Sequence, residues 1–293
     1  MIIIKQRTFA LLFLTVIFSV FSMNAKAQEI KGNLSSKVDT INKAILDNAK
    51  FRVFYTLEFV NDSTNPQLKN ACQTILLIGS HFSAFLDYNK LRKDSLYDAL
   101  SKKNASSMEV ISTVMPVAKQ AKFTPIIIKN YPRKKTSTFQ QMILSQEVYR
   151  YSSPVEIQWS LGNREKEMMG YKCKDATCNY RGRQYTAWYA LDIPISEGPY
   201  VFSGLPGLIM SISDSKDHYS FVINGLITIN AYDPIYLSTD HVIEASREQV
   251  RKVISNTRNN PASVLKSLAG KTNISEETMN KLQPKPYNPI ELE

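Results

Sequence analysis

The sequence predicts a mainly β, α+β domain: an antiparallel meander curled into an open barrel or sandwich, with its sustained helices at the C-terminal end. Three observations point there. Across Phe51–Val60 the side chains of Phe51, Val53, Tyr55, Leu57 and Phe59 share one face while Arg52, Thr56 and Glu58 share the other, the period of a half-buried strand. Between Pro125 and Ile229 short β-like segments follow one another with only turns between them, which disfavours Rossmann and helical-bundle folds. A sustained helical period is found only from Ile243 onward.

The first 27 residues stand apart from that domain. Lys5 and Arg7 precede an uncharged, predominantly apolar run from Phe9 to Val20, and the small-residue site Ala25-Lys26-Ala27 follows. This is the order of a cleavable signal peptide, and the run falls short of the roughly 20 apolar residues a spanning helix needs. The expectation is an exported protein, in the periplasm or outer cell envelope, with no transmembrane anchor after cleavage. Removing 27 of 293 residues leaves 266, read as one domain over 28–293, and the surplus of Lys and Arg over Asp and Glu falls from ten to seven.

The elements follow in order. Gln73–Ile78 and His81–Tyr88 read as strands joined by the tight turn Gly79-Ser80, with Ser63–Asn70 a loop before them. Leu91–Gln120 is polar and carries one short helical stretch, Asp94–Leu100. The β-like segments are then Pro125–Tyr131, Thr136–Leu144, Glu147–Tyr151, Val155–Leu161, Tyr171–Tyr180, Arg183–Leu191, Leu208–Asp214 and Tyr219–Ile229. In the C-terminal region, about 238–283, Ile243, Val250, Val253 and Ile254 form one apolar stripe. A second helix opens at Pro261 and stops at Gly270, and a third is capped by Ser275. Pro284, Pro286 and Pro289 enforce an extended tail.

With 43% apolar and 21% charged residues the chain has ample material for a core, which excludes a disordered or disulfide-packed class. Its positive charge is dispersed, and the one run of three, Arg133-Lys134-Lys135, follows Pro132 in a turn. No nucleic-acid partner is expected. The sequence contains no HExxH, GxSxG, GxGxxG or Walker loop, so no catalytic residue, metal or cofactor is assigned. Arg181 and Arg183, two apart on one strand and so facing the same side, with Trp188 nearby, read either as an anion-binding fork or as salt-bridged and aromatic-stacked structural arginines. Cys173 and Cys178 lie on opposite faces if 171–180 is one strand and can pair only across a turn at Lys174–Thr177; a bridge from Cys72 to either leaves one thiol.

The most distinctive passage is Gly198–Ile209, where two turn dipeptides, Gly198-Pro199 and Pro206-Gly207, are surrounded by apolar side chains. Pro206 with Gly207 at positive φ suits a type II turn. Leu205, Leu208 and Ile209 then need cover, from the core or from a ligand.

The hexapeptide Gly204-Leu-Pro-Gly-Leu-Ile209 is identified as the signature of the GLPGLI family, also called the Porph_ging domain. Gly170–Arg183, Ala187-Trp188, Ile193-Pro194, Gly198-Pro199 and the closing Tyr287-Asn-Pro-Ile-Glu-Leu292 resemble that family's other blocks. The resemblance implies an exported protein of Gram-negative bacteria, of unknown function, often encoded beside outer-membrane TonB-dependent receptors; it carries over no catalytic residue. The strand succession also resembles the open half-barrels of LolA-type lipoprotein carriers, an analogy of fold alone. Two functions are expected from this: a non-enzymatic binding or carrier module for a lipid, peptide or envelope partner, with Gly204–Ile209 lipping a groove, or a hydrolase or metal-dependent enzyme gathering Arg181, Arg183, Asp214 and His218.

Overall fold

A computed structural model of the chain describes residues 39–144, 147–267, 284 and 286–293. The predicted signal peptide over 1–27 and the helix capped by Ser275 lie outside the described residues, as does the stop at Gly270. The strands are β1 (Lys43–Asn48), β2 (Phe51–Val60), β3 (Lys69–Ile78), β4 (Ser83–Asp87), β5 (Ile126–Lys129), β6 (Thr136–Leu144), β7 (Glu147–Pro154), β8 (Ser160–Met168), β9 (Tyr171–Tyr180), β10 (Arg183–Ala190), β11 (Leu208–Asp214), β12 (Tyr219–Thr228), β13 (Pro234–Ser238) and β14 (Val242–Glu244). The helices are α1 (Tyr88–Lys102), α2 (Ser107–Ala118), α3 (Arg247–Asn259) and α4 (Pro261–Ser267).

Two antiparallel meanders form the main sheet. Its order is β14-β7-β6-β5-β4-β3-β2-β12-β11-β10-β9-β8, and only β14 is parallel to its neighbour. The meanders join where β12 pairs with β2, while β1 and β13 make a separate two-stranded ribbon. Two-residue turns with φ positive at both positions, Met169-Gly170 and Arg181-Gly182, close the hairpins on either side of β9.

The sheet is curled without closing. Arg181, at the end of β9, donates to Ser153 Oγ of β7 at 3.1 Å. These strands are nine places apart in the sheet, which would separate them by about 43 Å were it flat. One hydrophobic cluster accordingly runs from Leu57 and Phe85 through Phe139 to Cys178, Tyr185 and Phe221 on the inner face. The outer face of the first meander is buried as well, because Ile75, Leu77, Leu86 and Ile128 pack under Ile235 and Leu237 of the ribbon. Strands buried on both faces lose the alternation of β2, and Ile126-Ile-Ile-Lys129 is buried throughout.

The structure corrects four sequence expectations. The polar stretch from Leu91 to Gln120 forms most of two helices rather than one short helix over Asp94–Leu100. They stabilise each other: Ala105, Val110 and Val114 pack against Leu96, Tyr97 and Leu100. Val155–Leu161 is not a strand; β8 begins at Ser160 and carries Arg164, Glu165, Lys166 and Glu167 on an edge, where charge discourages pairing with another chain. Ile243 belongs to β14, and the helix predicted from it begins at Arg247 behind a Ser246/Gln249 capping box. Arg181 and Arg183 do not share a strand face, because β9 stops at Tyr180 and the chain turns between them.

Candidate functional site

The segment between β10 and β11 decides what the curled sheet encloses. Tyr200, Val201, Phe202 and Leu205 are at most 3% exposed and fill the inner face. Their backbone is pinned from β5: Lys129 Nζ donates to Glu197 Oε2 at 2.8 Å, to Gly198 O at 2.6 Å and to Phe202 O at 2.8 Å. Burial lowers the Lys129 pKa, opposed by the Glu197 carboxylate.

The hexapeptide follows this filling. Leu205, Leu208 and Ile209 are buried in the inner cluster, and none of Gly204–Ile209 lines the cavity described below. The positive φ expected at Gly207 is instead at Gly204, at 96°. Gly207 is required for a different reason: a Cβ there would sit 2.0 Å from the Ala190 carbonyl oxygen. Gly207→Ala is therefore expected to lower stability by about 1–3 kcal/mol through overpacking, measured as a fall in urea midpoint; an unchanged midpoint would show that the backbone yields freely.

Arg183, Asp214 and His218 do come together, but around the C-terminal tail. Arg183 donates to Asp214 Oδ2 at 2.8 Å, Asn288 Oδ1 at 2.7 Å, Pro289 O at 2.6 Å and Ile290 O at 3.1 Å, and lies over the Tyr219 ring at 5.0 Å. Asn288 continues the network to Val60 O at 2.8 Å and His218 Nδ1 at 3.2 Å. The arginine's donors are thus used in holding residues 288–290. Arg181 lies outside this group, bonded to Ser153. Trp188 is remote in role, with Lys166 and Arg164 over its ring at 4.4 and 5.4 Å.

Cys72, Cys173 and Cys178 are free thiols. Residues 171–180 form one continuous strand, so the turn that would let Cys173 meet Cys178 is not there. Burial pushes the Cys72 and Cys178 pKa values up to about 12 and raises that of Cys173, which keeps all three protonated and poor as nucleophiles or metal ligands. Among the described residues no three His, Cys, Asp or Glu side chains gather as a metal site.

What remains open is a cavity of about 580 Å³ between the inner face of the sheet, α3, α4 and the tail. Aromatic rings form its sheet wall: Phe139 stacks on Tyr151 at 4.8 Å, Phe59 on Tyr219 at 6.2 Å, and Tyr200 meets Phe123 and Phe139 edge-on at 6.4 and 6.2 Å. Val250, Ile254 and Val264 supply the helical wall. Asp87 shapes the rim by accepting the backbone N–H groups of Lys122 and Phe123 at 2.9 and 3.1 Å, which brings Lys122–Pro125 to the cavity. The tail closes one side, with Glu291 accepting from Tyr200 Oη at 2.7 Å and from Arg247 at 2.6 and 2.9 Å.

The charges around this apolar space are unequal. Glu291 is neutralised by Arg247. Among the described residues Arg258 donates only to the Pro286 carbonyl and lies over Tyr287 at 5.0 Å, and neither it nor Lys122 has an ion pair there. Sequence reasoning placed the stripe of α3 but not this wall, whose rings come from β2, β6, β7, β12 and two loops.

Residues 180–211 match the family model Porph_ging, described as a protein of unknown function. The matched stretch is the hairpin after β9, all of β10, the inner filling segment and the start of β11, so the resemblance carried by the hexapeptide holds there. No curated protein matches the chain. Among solved structures the chain is similar to two described as the structure of PNGF-II, in P21 and C2 space groups. Both align at 14% identity with a TM-score of 0.47, over 72% and 71% of this chain. The match spans about a third of the length of those chains, 34% and 33%.

Proposed function

We propose that the protein is a non-enzymatic binding or carrier module whose cavity holds an elongated apolar molecule ending in an anionic group, of which a long-chain carboxylate is the simplest example. The observation that carries this is the aromatic and aliphatic lining of a 580 Å³ space edged by Lys122 and Arg258, cations without an ion pair among the described residues. A space of this size suits a small ligand buried over most of its surface, with few polar groups fixing its orientation. In an exported protein, as the Lys5–Ala27 pattern predicts, such ligands would come from envelope lipids, and a TonB-dependent receptor is a partner to which they could be passed.

Native mass spectrometry and calorimetry with oleate and oleyl alcohol test this directly. Both molecules are expected to bind, oleate more tightly. Ile254→Arg should weaken both by more than about tenfold by placing an unpaired charge in the apolar wall. Arg258→Ala should weaken oleate by about tenfold and leave oleyl alcohol unchanged, since one charge-assisted hydrogen bond contributes about 1.5–3 kcal/mol. Protein that arrives free of adducts and binds neither molecule would overturn the proposal.

A further inference from the structure

Helix α2 presents a second feature, separate from the cavity. Val110 and Val114 bury one side of it against α1, yet its exposed surface is not the charged face expected of a surface helix. Met108, Ile111 and Met115 are 47%, 41% and 47% exposed there. They stand at steps of three and four residues, and Lys119, the C-cap, continues the same line four residues on. Ser112, Thr113 and Pro116 are exposed around the rest of its circumference, and Glu109 is the single acid of the helix.

Basic residues bracket that stripe. Lys102 and Lys103 end the preceding helix and its turn, Lys119 caps α2, and Lys122 follows three residues later; all four are exposed and none has an ion pair among the described residues. Against these four stands Glu109 alone within 101–122. Elsewhere in this region the lysines are paired: Lys90 and Lys93 share Asp94.

We infer that α2 is a membrane-contact helix that seats Met108, Ile111 and Met115 at the headgroup–acyl boundary of a phospholipid bilayer while the flanking lysines engage anionic headgroups. The helix has 12 residues, about 18 Å, and an apolar line flanked by basic residues is the pattern of a helix that lies in the interface. Long unbranched Met side chains adapt to a fluid surface, and lysines at both ends of an apolar line can extend toward phosphates while their stems stay apolar. A second observation fits the orientation. The chain leaving the stripe at Lys119 reaches the cavity rim at Lys122–Pro125 within six residues, so a bilayer touching α2 would lie beside the cavity's edge.

The test is vesicle flotation, which does not depend on what the cavity holds. Unmodified protein should float with phosphatidylcholine vesicles containing about one-third phosphatidylglycerol and much less with phosphatidylcholine alone. High salt should release it, because attraction to an anionic surface falls off within a Debye length. Removing Lys102, Lys103 or Lys119 by substitution with Ser should lower partitioning about fivefold each. The paired change Ile111→Glu and Met115→Glu should abolish it. Because both side chains are exposed, an unchanged melting curve is expected, and calorimetry with oleate should be unaffected. Failure of the unmodified protein to float, or equal flotation of the Ile111→Glu, Met115→Glu protein, would overturn the inference. So would a dimer in light scattering that Ile111→Glu dissolves, since the stripe would then face a second copy.

Discussion

Raising the pH from 8 to 11 is expected to remove most of the protein's stability. Tyr55, Tyr185, Tyr200, Tyr219 and Tyr236 are at most 8% exposed. Each uses its hydroxyl as a donor: to Ile209 O at 2.8 Å, Ile290 O at 3.2 Å, Glu291 Oε1 at 2.7 Å, Asn288 O at 2.6 Å and Asp94 Oδ2 at 3.0 Å respectively. Burial raises all five pKa values, and for Tyr200 and Tyr236 the neighbouring carboxylates Glu291 and Asp94 add to it. A group whose folded pKa lies above its unfolded value contributes stability that is complete below the unfolded value and lost as the pH rises toward the folded one. The unfolded tyrosine value is near 10, so at pH 11 each residue would withdraw on the order of 1 kcal/mol. Five such losses approach the 5–15 kcal/mol that holds a typical domain together. Lys129 and Lys90 act in the opposite sense, because burial lowers their pKa values and their contribution grows as the pH rises to the ordinary lysine value. Two lysines do not offset five tyrosines. Urea midpoints at successive pH values should fall steeply above pH 10, and tyrosinate absorbance should rise together with the loss of structure. Urea midpoints that hold unchanged from pH 8 to pH 11 would refute the prediction.

The sequence was most informative where neighbours in the chain are neighbours in space. Thr136–Leu144, Tyr171–Tyr180 and Leu208–Asp214 were legible to the residue, because hairpin partners flank them and their turns are marked. β1 was not, since Lys43–Asn48 pairs with Pro234–Ser238 from the far end of the chain and shows no alternation. β8 was hidden by its charge, which is an edge strand's protection rather than a loop's polarity. The cavity was legible only on its helical side, where Val250, Val253 and Ile254 repeat at helical spacing. Its aromatic wall is made of residues that each look like ordinary core within their own strand, and only the curl of the sheet sets Phe59, Phe139, Tyr151 and Tyr219 around one space. The Gly204–Ile209 signature was correctly conspicuous, yet its conspicuousness comes from packing: Gly204 turns the chain and Gly207 touches a carbonyl.

Arg183→Met is expected to destabilise the protein by about 3–5 kcal/mol, the penalty for stranding a buried charge, and to free the tail. The Asp214 carboxylate would keep only the Tyr219 N–H at 2.7 Å, in a position 4% exposed. The Asn288 side chain and the Pro289 and Ile290 carbonyls would lose their common donor, leaving Tyr180, Tyr185 and Tyr219 as side-chain donors to the tail from the sheet. Arg183→Lys should fall between, because one ammonium can reach Asp214 but cannot serve Asn288, Pro289 and Ile290 from a single fork. Arg181→Lys should change stability by less than about 0.5 kcal/mol, as that side chain sits on a turn with one neutral acceptor, Ser153. Limited proteolysis separates a loosened tail from a loosened core: residues 287–293 should be cut in Arg183→Met under conditions that leave the sheet intact, and oleate affinity should drop with them because Tyr287–Glu291 form a cavity wall. A tail that stays protected, or a stability loss under 1 kcal/mol, would mean that Arg247 and Arg251 hold the tail from α3 without Arg183. In that outcome the buried Arg183–Asp214 pair would be dispensable to the closing segment, although the two meet at 2.8 Å beneath it.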